Sequence, residues 1–232
     1  MSFTTQPIKF KYKWRDYQRR VLDELNKHLE DDHLNVVAPP GSGKTVLGLE
    51  VMLRINEPTL ILAPTLAIRN QWKDRFIELF LNDNEVDWIS LDIHQPRFLT
   101  ISTYQGLHAS MVKDEQTLYN SLKEVNVKTL IVDEAHHLKN EWWKSLNKIK
   151  TELTPKIVAL TATPPFDVSK EEWNRYLSFC GSIDCEITVP ELVKQKDLCP
   201  HQDLLMCSFP TNFENEIISK NLKEVEAFFQ EV

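Results

Sequence analysis

The chain has 232 residues, 42% of them hydrophobic, which is enough for one substantial α/β domain with an appendage and too few for two full-sized domains. Its formal net charge of −7 argues against a protein that coats nucleic acid by bulk positive charge, so any such contact must come from a local patch and from backbone groups. No window approaches the ~18 consecutive apolar residues of a membrane span, and the start MSFTTQPIKFKYKW lacks the apolar centre of a secretory signal. A cytoplasmic chain with no membrane partner is the expectation. Cys180, Cys185, Cys199 and Cys207 form no C-x-x-C pair and read as reduced structural thiols, with Cys199 and His201 the alternative as a metal pair.

Apolar spacing predicts a first helix over Asp16 to Glu30, then a strand over Leu34 to Ala38 and a helix over Gly43 to Arg54. A strand at Thr59 to Ala63 leads into a helix at Leu66 to Phe80, and Val86 to Leu91 offers an edge strand. The strand Phe98 to Ser102 is followed by a helix at Glu115 to Val125, and Thr129 to Asp133 by a helix at Glu141 to Lys150. Lys156 to Thr161 and the helix Lys170 to Phe179 complete the series. Several strands are apolar on successive residues, as strands buried on both faces are. The alternation predicts an α/β fold of three layers, a mainly parallel central sheet with helices on both sides. After Pro210 one amphipathic helix runs from Glu214 to Val232 with no Gly or Pro to stop it. The expected division is residues 1–210 as the main domain and 211–232 as a connector.

The segment from Leu34 to Thr45 is a strand, a glycine-containing loop and a helix start, the order needed for a phosphate cradle. Gly41 and Gly43 can adopt angles that turn successive N–H groups toward an anion, and the helix start adds its positive dipole end. Lys44 supplies a cation for the β and γ phosphates, Thr45 a hydroxyl for Mg2+, and Pro40 and Ser42 complete the loop. Ala38 stands where the strict pattern has glycine, a small departure because this residue ends the strand.

Thr129-Leu-Ile-Val-Asp133-Glu134-Ala135-His136 puts two carboxylates at the C-terminal end of a buried strand, where open α/β sheets bind ligands. Asp133 is suited to hold Mg2+, and Glu134 to orient and deprotonate a water aimed at the γ-phosphate. ATP and Mg2+ are the expected cofactors.

With both motifs placed, the chain resembles the DEAH-box group of superfamily-2 helicases over nearly all its length, including bacterial restriction- and repair-type members. The resemblance implies a RecA-like domain that binds ATP. Trp14-Arg15-Asp16-Tyr17-Gln18 is similar to the family's adenine motif, which implies that Gln18, with Arg15, serves the base. Pro64, Thr65 and Arg69, and Thr103-Tyr104-Gln105, lie in segments similar to the two motifs that contact one nucleic-acid strand. Leu160-Thr161-Ala-Thr163-Pro164 resembles the coupling motif, and His136 would relay between nucleotide and partner domain. Val189 to Val193 and Leu198 to Gln202 resemble the bacterial relatives, which favours DNA over RNA as partner.

Family members pair two RecA-like domains, and the second supplies arginines. After Thr163 this chain has only Arg175 and no G-R-x-x-R-like run, so the catalytic arginine is expected on a second RecA-like domain in the same polypeptide. Without it the chain is expected to bind nucleotide and hydrolyse it poorly, since such a finger is worth roughly 10³ to 10⁵ in rate. Half of an RNA helicase, or a nucleotide-dependent switch that never unwinds, are the alternatives.

Overall fold

The structure is a computed structural model and describes residues 8–81, 86–135, 140–166, 168–200, 204 and 208–230. Its strands are β1 (His33–Val37), β2 (Thr59–Ala63), β3 (Ile89–Ser90), β4 (Leu99–Thr103), β5 (Thr129–Asp133), β6 (Lys156–Thr161) and β7 (Cys185–Glu186). The helices are α1 (Asp16–Asp23), α2 (Leu25–His28), α3 (Lys44–Ile55), α4 (Leu66–Phe80), α5 (Tyr104–Glu124), α6 (Asn140–Leu153), α7 (Lys170–Cys180), α8 (Val189–Lys194) and α9 (Asn212–Gln230).

The strands form one sheet in the order β3-β4-β2-β5-β6-β1-β7, and every pairing is parallel. Parallel neighbours need crossovers, and the helices that supply them cover both faces. Successive side chains of a strand point to opposite faces, so each strand feeds two cores. Val36, Ile61, Ile131 and Val158 join Tyr17 of α1, Leu47 and Met52 of α3, and Trp72 and Phe76 of α4 on one face. Leu62, Val132 and Ile157 join Leu107 and Leu118 of α5, Leu146 of α6 and Phe179 of α7 on the other. The three-layer α/β architecture anticipated from periodicity is the one observed.

Local details depart from expectation at four places. The helix read as Asp16 to Glu30 is broken: α1 ends at Asp23, α2 is a single turn, and a 3-10 turn over Leu29–Asp31 closes on Asp32 at φ 60°. Val21, Leu22, Leu25 and Leu29 keep helical spacing across the break, so the apolar pattern carries no trace of it. The helix read as Glu115 to Val125 is the second half of α5, which begins at Tyr104 and bends at Asp114. There Asp114 accepts from both the backbone N–H and the hydroxyl of Thr117, at 3.0 and 2.7 Å, and acts as an internal N-cap. The edge read as Val86 to Leu91 pairs only through Ile89 and Ser90, and β7 and α8 were not anticipated.

The chain divides into a unit spanning Met1–Leu198 and a second spanning Cys199–Val232. In the second, α9 opens on a reciprocal cap: Thr211 donates from its N–H and hydroxyl to Glu214 at 2.7 and 2.8 Å, and Glu214 N–H returns a bond to the Thr211 hydroxyl. Phe213, Ile217, Ile218 and Leu222 of that helix are exposed. No helix among the described residues is long and apolar enough to cross a membrane.

Candidate active site

The C-terminal ends of β1, β5 and β6 lie side by side, with Val37 opposite Thr161 and Asp133 opposite Leu160 in the ladder. From the end of β1 the chain turns through Ala38 to Gly43, and Gly41 and Gly43 take φ of 76° and 97°. Those angles are closed to most other residues, and a Cβ on Gly43 would sit 2.8 Å from Gln18 Nε2. The loop is braced from outside by the segment that begins α1. Arg15 Nη1 donates to the Gly41 carbonyl at 2.7 Å and to the Ser42 carbonyl, Tyr17 OH to the Ser42 carbonyl at 3.0 Å, and Gln18 Nε2 to the Gly43 carbonyl at 3.2 Å. Three successive carbonyls are thereby held on that side, while the Ser42 N–H closes the turn on the Pro39 carbonyl at 3.2 Å. A loop so braced keeps the conformation of its turn before any anion arrives.

Lys44 begins α3 and is 8% exposed. Its Nζ donates to the Ala38 carbonyl at 2.8 Å and to the Pro39 carbonyl at 3.5 Å, and lies 3.8 Å from Glu134 Oε1. Burial lowers the lysine below its ordinary value, opposed by the Glu134 and Asp133 charges. Glu134 sits in the left-handed region at φ 52°, a conformation that costs a non-glycine residue about 1 kcal/mol or more. Its carboxylate also accepts from Ala162 N–H at 3.3 Å, so it bridges the ends of β5 and β6 beside the lysine. Asp133 is 5% exposed and accepts at Oδ2 from Trp72 Nε1 at 2.7 Å. Burial raises its carboxyl to about 6; the Trp72 bond opposes the shift and the Glu134 charge adds to it.

This donor set fits a magnesium nucleotide. Hard carboxylate and hydroxyl oxygens from Asp133 and Thr45 suit Mg2+, Lys44 and the braced loop suit phosphate, and Ser42 Oγ is a buried hydroxyl without a hydrogen-bond partner. Among the described residues no cluster of His, Cys, Asp and Glu suits a further metal ion, and His201 lies outside them.

The other anticipated residues divide. Pro40 and Gly41 are exposed, and Thr45 is half-buried. Thr65 caps α4, accepting from Ile68 N–H at 3.2 Å, and Thr103 caps α5, accepting from Gly106 N–H at 3.0 Å. Pro64 and Arg69 are half-buried, Gln105 is exposed, and Arg69 donates to Asn70 Oδ1. Tyr104 is different. It is 1% exposed, stacks on Trp142 at a centroid distance of 5.5 Å, and donates from its hydroxyl to the Asp133 carbonyl at 2.7 Å. Its place is in the core beneath the acidic strand end and not on a strand-facing surface. Thr161 donates to the Thr163 carbonyl at 3.2 Å across the coupling segment, and Thr163 is exposed. His136 lies outside the described residues.

Two site residues escaped the sequence reading. Tyr17, given no role there, donates to the loop, and Trp72 reaches Asp133. Both are fully buried aromatics whose polar atoms require a partner, and nothing in their spacing announces which one.

The model of the family described as type III restriction enzyme, res subunit, matches residues 11–166. The DNA 3'-5' translocase XPB2 of Sulfurisphaera tokodaii is 30% identical over 187 residues, covering 80% of this chain and 38% of that protein. The chain therefore spans less than two fifths of that relative's length. Among solved structures, the Pyrococcus furiosus Hef helicase domain superposes with a TM-score of 0.56 at 19% identity, over 78% of this chain and 40% of that one. The Sulfolobus solfataricus SWI2/SNF2 ATPase core in complex with dsDNA gives 0.55 at 20% identity, over 84% of this chain and 41% of that one. At these identities the structures establish the fold. The loop, the paired carboxylates and the parallel sheet, together with the match over residues 11–166, place this chain in the type III restriction enzyme res-subunit family, as an N-terminal RecA-like domain of the superfamily-2 helicase kind.

Proposed function

We propose that this chain is the ATP-binding first motor domain of an ATP-dependent DNA helicase or translocase. The observation that carries the reading is the convergence of Lys44, Asp133 and Glu134 beside a loop whose carbonyls are already held from behind. When bound, ATP with Mg2+ supplies the phosphoanhydride whose cleavage drives the motor. Gly41, Ser42 and Gly43 would present backbone N–H groups to phosphate, Lys44 would exchange the Ala38 and Pro39 carbonyls for phosphate oxygens, and Thr45 and Asp133 would hold the metal. Glu134 would take the proton of a water at its carboxylate. Arg15 and Gln18 hold the loop in this structure and would serve the base as well.

Thr161 and Thr163 lie on the segment whose Ala162 N–H is bonded to Glu134, a direct path by which a change at the carboxylate would move the coupling loop. His136 would carry the same signal toward a partner domain. That partner, a second RecA-like domain of the same polypeptide, would contribute the arginine lacking here, and α9 would lead toward it. Thr65, Arg69, Thr103 and Gln105 would meet one DNA strand. DNA is favoured because the relative from Sulfurisphaera tokodaii is named as a DNA translocase.

The test is ATP hydrolysis by the full-length protein with duplex DNA, single-stranded DNA or RNA added. Stimulation by DNA above RNA is expected. Stimulation by RNA alone would make the protein an RNA helicase, and binding without any turnover would make it a switch.

A further inference from the structure

Trp72 is the largest fully buried side chain of the molecule's described part, and its position is unusual for what lies on either side of it. It projects from α4, the helix that Thr65 caps and that carries Arg69, both assigned above to the DNA strand. Its far end passes over α3, the helix that carries Lys44 and Thr45, at Gly48. A Cβ on Gly48 would lie 2.6 Å from Trp72 Cη2 and 2.8 Å from Leu160 Cδ1, so only glycine lets the indole through. A glycine inside a helix costs roughly 1 kcal/mol relative to alanine, and nothing in the backbone angles of Gly48 requires it. The room it makes is used by the indole. Trp72 Nε1 then donates 2.7 Å to Oδ2 of Asp133, the carboxylate assigned to Mg2+.

A buried indole N–H needs an acceptor, but a backbone carbonyl would satisfy it. Here the acceptor is one oxygen of a carboxylate that is itself buried, which fixes that carboxylate's rotation and leaves Oδ1 as its other face. Groups that orient a metal ligand in this way are felt in metal affinity. The same side chain is rigidly part of α4. Thr65 and Trp72 are seven residues apart, two turns along one face of the helix, so a tilt of α4 when a strand seats on its N-terminal end moves the indole.

From this we infer that Trp72 is a positioning residue that holds the metal-binding carboxylate of Asp133 from the strand-contacting helix α4, through the gap left by Gly48. The inference rests on the ATP-binding reading above. It makes α4 the element through which strand engagement reaches the metal.

The test is Trp72→Phe in the 232-residue chain, with ATP binding measured by calorimetry in Mg2+ and in chelator. The ring stays and the donor goes. Affinity in Mg2+ is expected to fall about tenfold, while affinity in chelator stays within about twofold, because the phosphate loop is untouched. Equal losses in both conditions would mean a packing role only and overturn the inference, as would unchanged affinity in Mg2+. If the wild-type chain binds no ATP in either condition, the ATP-binding reading falls and takes this inference with it, an outcome distinct from the other two. Should the phenylalanine variant not fold, the wild-type chain labelled with 15N-tryptophan gives a second measurement. The indole resonance that moves in Asp133→Asn is then expected to move with ATP and Mg2+ and not with ATP in chelator. An indole set insensitive to Asp133→Asn, or a Trp72 resonance that responds equally to both, would overturn the inference.

Discussion

Asp133 and Glu134 are adjacent in the chain and buried to different degrees, and the difference sets what each can do. Asp133 lies at the end of a strand enclosed on both faces, where burial raises its carboxyl to about 6. Its folded-state value then exceeds that of the unfolded chain, so the folded state holds the proton more tightly and loses stability as pH rises from about 4 through about 6. The full effect of a shift from 3.8 to about 6 is on the order of 3 kcal/mol. In chelator, Asp133→Asn should therefore melt above the wild type at pH 7.5, with the gap closing near pH 4. A gap that is constant across that range would show that Asp133 does not carry the shift. Glu134 is more open and bridges Lys44 and Ala162. Its amide variant Glu134→Gln can still accept a hydrogen bond but cannot act as a base, so in the full-length protein it should bind ATP normally and turn over at least a hundredfold more slowly, by the ~10² to 10⁴ that general-base catalysis contributes. Turnover at the wild-type rate would place water activation at another residue.

Among the elements, the helix α9 forms part of a compact unit of its own. It belongs to the unit Cys199–Val232, while both cores are built from residues before Leu198. Removing residues 211–232 should leave the melting temperature of the remainder within about 2 °C and its ATP response intact, because among the described residues the deleted segment contributes none to either core. A truncated chain that fails to fold would make α9 part of the domain. The strands of the sheet's middle were legible from their unbroken apolar runs, and the phosphate loop and acidic strand end from residue order alone. Breaks that preserve the apolar stripe were not legible, as between α1 and α2. The first half of α5 was hidden for another reason. It starts directly off β4 with Gly106 in its first turn, where a Cβ would lie 3.0 Å from Ser102 Oγ, and glycine there reads as a loop although it is a close approach. The braces Arg15 and Tyr17 and the tie from Trp72 to Asp133 join residues up to 61 positions apart, beyond any local pattern.

For the whole molecule, the proposed reading is a domain that binds and positions ATP, with the arginine that would speed turnover expected from a second RecA-like domain. Central to the proposed function is that the loop from Ala38 to Thr45 binds ATP with Mg2+ through Lys44, whose buried Nζ now rests on two loop carbonyls and faces Glu134. Calorimetric titration of ATP with Mg2+ into the 232-residue chain and its Lys44→Ala variant tests this claim most directly, with melting curves confirming that both are folded. Saturable one-to-one binding is expected for the wild type, and its weakening by about a hundredfold or more, on the order expected for removing a buried charged partner, in the variant. Equal affinity in the two folded proteins would contradict it.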